Sequence, residues 1–506
     1  MSDELLIIGI DSLDPYILLQ HRNDLPTFST LIDESPTRVS HSVFPTDTIP
    51  AWASIYTGLH PGNHGLLYVY DIFDPKLSDL RKLDVARIKG RTFWDYANNE
   101  GLHAVVVHPM MLYPAWEISD IMVSRSPIDR RIDWIRTEID VDVYPRNIRD
   151  KYAIPNTYTG LWGGFPGLNH LDEWVRLGQE TLNDEQRLGL ELLRNEPWDL
   201  FFIYFNVLDI IQHRLWRFFD TNDPLYQKNQ FSTVIVDYYK HLDSIVGSFI
   251  AERPDVQLLV LSDHGHRSRP ITTVNINTYL QMHNVLVPNR QRKHVTRHLR
   301  KTVLEIISRL GLEHVVMKLV VKSPRLTKAS KSIYSSGGSI DRDKSTAFLS
   351  TFAGIKSYPD GGIEIQAEHL SAREYKGLRD ALIGWLEALT TARGEHIVQW
   401  ARKREDLYPG TFTAQLYPDI VFELQPQYGV GWDVQSDLFG KAYDHPVASG
   451  GHAPDAVLLM RNIDKDVARA NISLMDVAPT IVDLLGADSG RFEFDGASIF
   501  EPRRSG

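Results

Sequence analysis

The chain contains no cysteine. Disulfides, thiolate metal sites, a cysteine nucleophile and the modified cysteine of sulfatases are therefore excluded, and any bound metal must use oxygen and nitrogen ligands. Long apolar runs are missing too. The run behind the acidic start, Leu5 to Ile10, is far shorter than the ~20 residues of a membrane span. No secretory signal pattern is present, so a cytoplasmic location is the expectation. Positive charge is in the minority: 54 Lys and Arg against 65 Asp and Glu give a net charge of −11. Such a balance argues against a general nucleic-acid binder. There is no internal repeat and no low-complexity tract. What remains is ordinary for a soluble globular protein, with 43% hydrophobic and 24% charged residues. At 506 residues one large domain with insertions, or two domains, is expected.

Short runs rich in Leu, Ile and Val without alternation read as buried parallel strands. They fall at Leu5 to Ile10, Ala104 to Val107, Leu200 to Phe205, Gln257 to Leu261, Ile420 to Phe422 and Ala456 to Met460. Helical patterns lie between them, as at Glu185 to Arg194 and Val234 to Ile250. Alternating strands and helices predict an α/β layered sheet. The segment 289–331 differs, with twelve Lys or Arg from Arg290 to Lys331 against Glu305 and Glu313. It reads as a basic helical cap, a lid that steers an anionic substrate or a face for anionic lipid. A Ser/Gly loop, Ser335 to Ser339, follows it. A smaller unit from about Ser345 has a strand at Gly361 to Ile365 and an amphipathic helix at Ala372 to Thr391. The predicted division is a core of 1–288 with 441–506, a cap of 289–344, and a smaller α/β portion of 345–440.

Three Asp and three His stand at or near strand ends, where open α/β sheets bind ligands. Asp11 ends the first strand; it suits a divalent cation, or it caps the helix that follows. Thr48 enters a helix that starts near Pro50 and stops at Gly58. A hydroxyl there meets a phosphate-attracting helix N-terminus, unless Thr46 or Thr48 is merely the cap. Asp209 and His213 are spaced i, i+4 and share one helix face. Asp263 and His264 directly follow the strand ending at Leu261, and Gly265 frees the backbone to turn. His266 beside them reads as supporting or substrate-facing. Gly450 and Gly451 allow close backbone approach before His452.

In that order Asp11, Thr48, Asp209/His213, Asp263/His264 and His452 resemble the alkaline phosphatase superfamily, and within it the type I phosphodiesterase/nucleotide pyrophosphatase branch. Further stretches carry the likeness: Thr48 to Trp52, Thr57 to Gly65, Asp209 to His213 with Trp216, and Met475 to Gly486. The chain is similar there to bacterial and archaeal predicted phosphohydrolases and phosphomutases. The resemblance implies a three-layer sandwich around a mostly parallel sheet, with helical cap insertions. It implies two divalent metal ions, usually zinc and sometimes manganese. Asp209, His213 and His452 would hold one; Asp11, Asp263 and His264 would hold the other, with Thr48 at or between them. Thr48 would be the nucleophile, giving a phosphothreonine in the hydrolysis of a small phosphodiester or phosphomonoester.

The chain departs from the nucleotide pyrophosphatases at one point. Their Asn-His after the nucleophile's Pro is here Ala51-Trp52, so a phosphate donor is lost. Arg267 and Arg269 are further candidates for anion contact, or simply surface arginines. Two other readings stay open: a phosphomutase or phosphotransferase on the same site, and a non-catalytic protein that binds an anion or lipid through 289–331.

Overall fold

The computed structural model describes residues 4–67, 85–131, 136–159, 167–289, 340–350, 357–442, 445–487 and 489–500. The basic run, apart from residue 289, and the Ser/Gly loop lie outside the described residues. The rest forms two compact units. One is drawn from Met1–Leu66, Leu80–Ser268 and Gly450–Gly506, the other from Leu67–Asp79 and Arg269–Ser449.

The strands are β1 (Leu5–Ile10), β2 (Val39–His41), β3 (Ala104–Val107), β4 (Ile121–Arg131), β5 (Arg136–Tyr144), β6 (Thr157–Thr159), β7 (Leu200–Phe205), β8 (Gln257–Leu261), β9 (Gly265–Ser268), β10 (Thr272–Asn275), β11 (Ala347–Leu349), β12 (Asp360–Ile365), β13 (Val398–Lys403), β14 (Ile420–Leu424), β15 (Tyr428–Gly431), β16 (Phe439–Lys441), β17 (Gly450–Ala453) and β18 (Asp455–Arg461). The first unit is built on a sheet in the order β2-β18-β8-β1-β7-β3-β4-β5-β6. Its centre, β8-β1-β7-β3-β4, is parallel. The flanking β18, β2, β5 and β6 are antiparallel. The apolar runs at 5–10, 104–107, 200–205 and 257–261 are these parallel strands. They lack alternation because both faces are covered. The runs at 420–422 and 456–460 fall in β14 and β18, which pair antiparallel with their neighbours.

Leu6, Ile8 and Ile10 point into a core shared with helices Leu171–Asn195, Val207–Phe219 and Val234–Glu252. On the other face Phe202 and Tyr204 meet the rings of Trp52, Tyr56, Phe93 and Trp94 from helices Thr48–Thr57 and Phe93–Asn99. Helix, sheet and helix make the predicted three layers. Gly9 is required beneath Trp52, since a Cβ there would stand 2.6 Å from the indole ring.

The second unit has two sheets, β11-β12-β14-β13 and β15-β10-β16. Its helix Ala372–Glu387 begins in a reciprocal cap between Ser371 and Glu374 and buries Leu382 and Leu386. It stops short of Thr391 because Thr390 turns away to bridge His396.

Candidate active site

Five segments of the first unit converge at the carboxyl ends of β1, β7 and β8. Asp11 extends β1 by one rung, its N–H donating to Phe205 O at 2.8 Å. Its carboxylate is buried. Oδ2 accepts the Tyr204 hydroxyl, and Oδ1 faces His264 Nε2 at 3.6 Å. The following helix, Pro15–Gln20, is capped by Asp14 and not by Asp11: Asp14 Oδ1 accepts the Tyr16 and Ile17 N–H groups at 2.9 Å.

Thr48 is the first residue of its helix. Asp47 supplies the cap, so neither Thr46 nor Thr48 does, and Gly58 closes the helix at φ 69°. Thr48 Oγ1 lies 3.2 Å from His264 Nε2. Ala51 and Trp52, one turn further on, are fully buried.

Asp209 and His213 share one face of helix Val207–Phe219, with Oδ1 to Nε2 at 3.3 Å. Asp263 and His264 leave β8, and His264 Nε2 stands 3.1 Å from Asp263 Oδ2. His452 comes from β17, which pairs with β9 so that His452 lies opposite His266. Its Nε2 is 3.0 Å from His213 Nε2 and 3.6 Å from Asp209 Oδ1. Its ring stacks on His264, centroids 3.8 Å apart.

All three imidazoles are turned the same way. Nδ1 of His213, His264 and His452 meets the carbonyls of Gly450 at 2.8 Å, Gly265 at 3.0 Å and Thr46 at 2.9 Å. A carbonyl only accepts, so each Nδ1 carries the proton and each neutral Nε2 presents a lone pair to the site. Metal-binding histidines are oriented in this way.

The carboxylates fit the same reading. Burial, then the neighbouring charges of Asp263 and Asp209, pushes Asp11 well above the usual carboxylate range. Burial, with Asp209 adding to it, does the same to Asp263. Carboxylates packed together in a dry site call for a cation. Ligand atoms of Asp11, Asp263 and His264 lie within 4.8 Å of one another, as do those of Asp209, His264 and His452. His264 belongs to both groups. An all-oxygen-and-nitrogen donor set of this kind suits zinc or manganese.

Sequence reasoning missed Tyr204, which was absorbed into an apolar run, and Ser12 and Gln212, which sit beside predicted ligands. It also misjudged Gly265, whose φ is not positive. A Cβ there would come within 2.5 Å of Asp14 Oδ2 and of the Asp455 carbonyl, so close approach is what requires glycine. Gly450 is held for the same reason by His266 and the Gln212 carbonyl. Arg267 is half-buried. Arg269, in the second unit, is buried and donates to Ala448 O at 2.9 Å; it is not a surface arginine.

A family model described as type I phosphodiesterase / nucleotide pyrophosphatase matches residues 5–450. Among solved structures the chain is similar to phosphonoacetate hydrolase from Sinorhizobium meliloti 1021, seen with phosphonoformate and with phosphonoacetate. Each comparison has a TM-score of 0.51 and 13% identity, and covers 96% of this chain and 95% of that one. At such identity the likeness speaks for the fold. No curated protein sequence matches the chain.

Proposed function

The chain belongs to the type I phosphodiesterase / nucleotide pyrophosphatase family, and from that premise we propose that it is a metal-dependent hydrolase of phosphoric esters, working through Thr48 on a two-metal site. One observation carries the proposal. Three imidazoles, each fixed through Nδ1, aim Nε2 at the carboxylates of Asp11, Asp209 and Asp263. Asp209, His213 and His452 would hold one divalent ion and Asp11, Asp263 and His264 the other, with zinc favoured over manganese. Bound there, the two ions supply charge stabilisation to the attacking and leaving oxygens of an in-line displacement.

The chain's own groups do the rest. The start of helix Thr48–Thr57 attracts the phosphoryl oxygens. Thr48 Oγ1 gives up its proton and bonds to phosphorus, while the ester P–O bond breaks and the leaving alcohol takes a proton. Water then attacks the phosphothreonine, breaking its O–P bond and restoring the hydroxyl. The substrate is a small phosphorylated molecule. Ala51 offers no donor to it, so nucleotide recognition is not carried over from the family name.

The test is a panel of phosphodiesters and phosphomonoesters with metal-replete protein. Wild type is expected to release the alcohol and to place labelled oxygen from water in the phosphate. Thr48→Ala is expected to lose several orders of magnitude in kcat. Unchanged turnover in that variant overturns the nucleophile; phosphoryl return to an alcohol in place of water makes the enzyme a transferase.

A further inference from the structure

Ser12 follows Asp11, is wholly buried and has φ 61°. Glycine adopts that backbone freely and serine only at a cost, so the side chain must return something. All of its polar groups are engaged. Its N–H donates to Asp263 Oδ1 at 3.2 Å. Its hydroxyl meets His266 Nδ1 at 2.7 Å and Gly265 O at 3.3 Å. Its carbonyl accepts from Gln212 Nε2 at 2.9 Å. The contacts reach both proposed metal groups: Asp263 itself and the neighbours of His264 in one, and Gln212, the neighbour of His213, in the other. His266 continues the link, since its Nδ1 lies 3.8 Å from Asp209 Oδ1 and its ring packs against His213 and Trp216.

We infer that Ser12, acting through His266, is a positioning residue that sets the spacing between the Asp11/Asp263/His264 group and the Asp209/His213/His452 group. The inference rests on the two-metal reading. Hydrogen-bonded residues behind metal ligands typically account for about 10–100-fold in metal affinity or activity. The N–H and carbonyl contacts of Ser12 are available to glycine as well, so the hydroxyl can be isolated.

Ser12→Gly removes that hydroxyl and also relieves the backbone. It is expected to fold at least as stably as wild type, to bind zinc about 10–100-fold more weakly at one of two sites, and to lose kcat with KM little changed. His266→Ala should do the same, and the double variant no more, because the two act as one unit. His266→Asn, whose amide stands where Nδ1 was, should recover most of the loss. Zinc titration, calorimetry and phosphoester kinetics read these outcomes. Wild type that binds no metal overturns the two-metal reading and this inference with it. Wild type that binds two ions, with Ser12→Gly binding both equally and turning over normally, overturns the inference alone. A loss in His266→Ala that His266→Asn does not recover also counts against it.

Discussion

The Tyr204 hydroxyl points from β7 onto Asp11 Oδ2 inside a dry pocket. Burial, and then the Asp11 charge, drives this phenol well above its ordinary range, so it stays a donor. Tyr204→Phe leaves a buried carboxylate oxygen short of its partner. Metal-free protein is expected to lose about 1–3 kcal/mol, and metal-loaded protein less, because the cation compensates Asp11. Thermal denaturation with and without zinc measures both; equal losses would refute that compensation. Residues such as Asp11, Asp263 and His264 were legible because a charged group ending an apolar strand is unusual. Tyr204 was not, since a single hydroxyl in Leu200–Phe205 looks like more of the same strand. Ser12 carries no chemistry of its own type, and only its left-handed backbone and its neighbours give it a role.

Among the elements, the short helix Pro61–His64 is fastened by His64. Its Nδ1 accepts the Leu66 N–H at 3.0 Å, which only the neutral ring can do, and its Nε2 donates to Ser54 Oγ at 3.2 Å. Burial, and next the nearby His60, lowers its pKa from 6.5 to about 3. The unfolded chain therefore takes up a proton that the native site refuses. The stability due to this group is whole above pH 6.5 and is lost as pH falls towards 3, at about 1.4 kcal/mol per unit. His64→Gln should flatten that slope in denaturant titrations; an identical slope would assign it elsewhere. Most parallel strands were readable because burial on both faces leaves an uninterrupted apolar run. The hairpin of β4 and β5 was not. Arg125, Asp129, Glu138, Asp140 and Asp142 interrupt its pattern: Arg125 is buried in an ion pair with Glu185, and β5 mixes buried with exposed positions.

For the whole molecule, the two-metal proposal has the folded chain binding ions that the unfolded chain would not hold. Each ion stabilises the native state by about 2.7 kcal/mol when free metal stands at 100 times Kd. Chelation should therefore lower Tm, and zinc should restore it. A Tm indifferent to chelator would remove the two-ion site. The layered sheet was foreseeable from alternating strands and helices. The second unit was less so: its strands are short and mostly antiparallel, and some gain their partners only across long separations, as in the parallel pair of β10 with β15. No helix among the described residues is long and apolar enough to cross a membrane.

The hydrogen bond between His452 and the Thr46 carbonyl joins residues 406 positions apart. It has a consequence in time. A growing chain can shape β1, β7 and β8 long before β17 and β18 have been synthesised. Until they arrive, β8 lacks a neighbour on one side and the imidazole cluster lacks its last member. On the proposed ligand sets the Asp11/Asp263/His264 group is complete once His264 has been made, whereas the Asp209/His213/His452 group would be completed only after about nine-tenths of the chain exists.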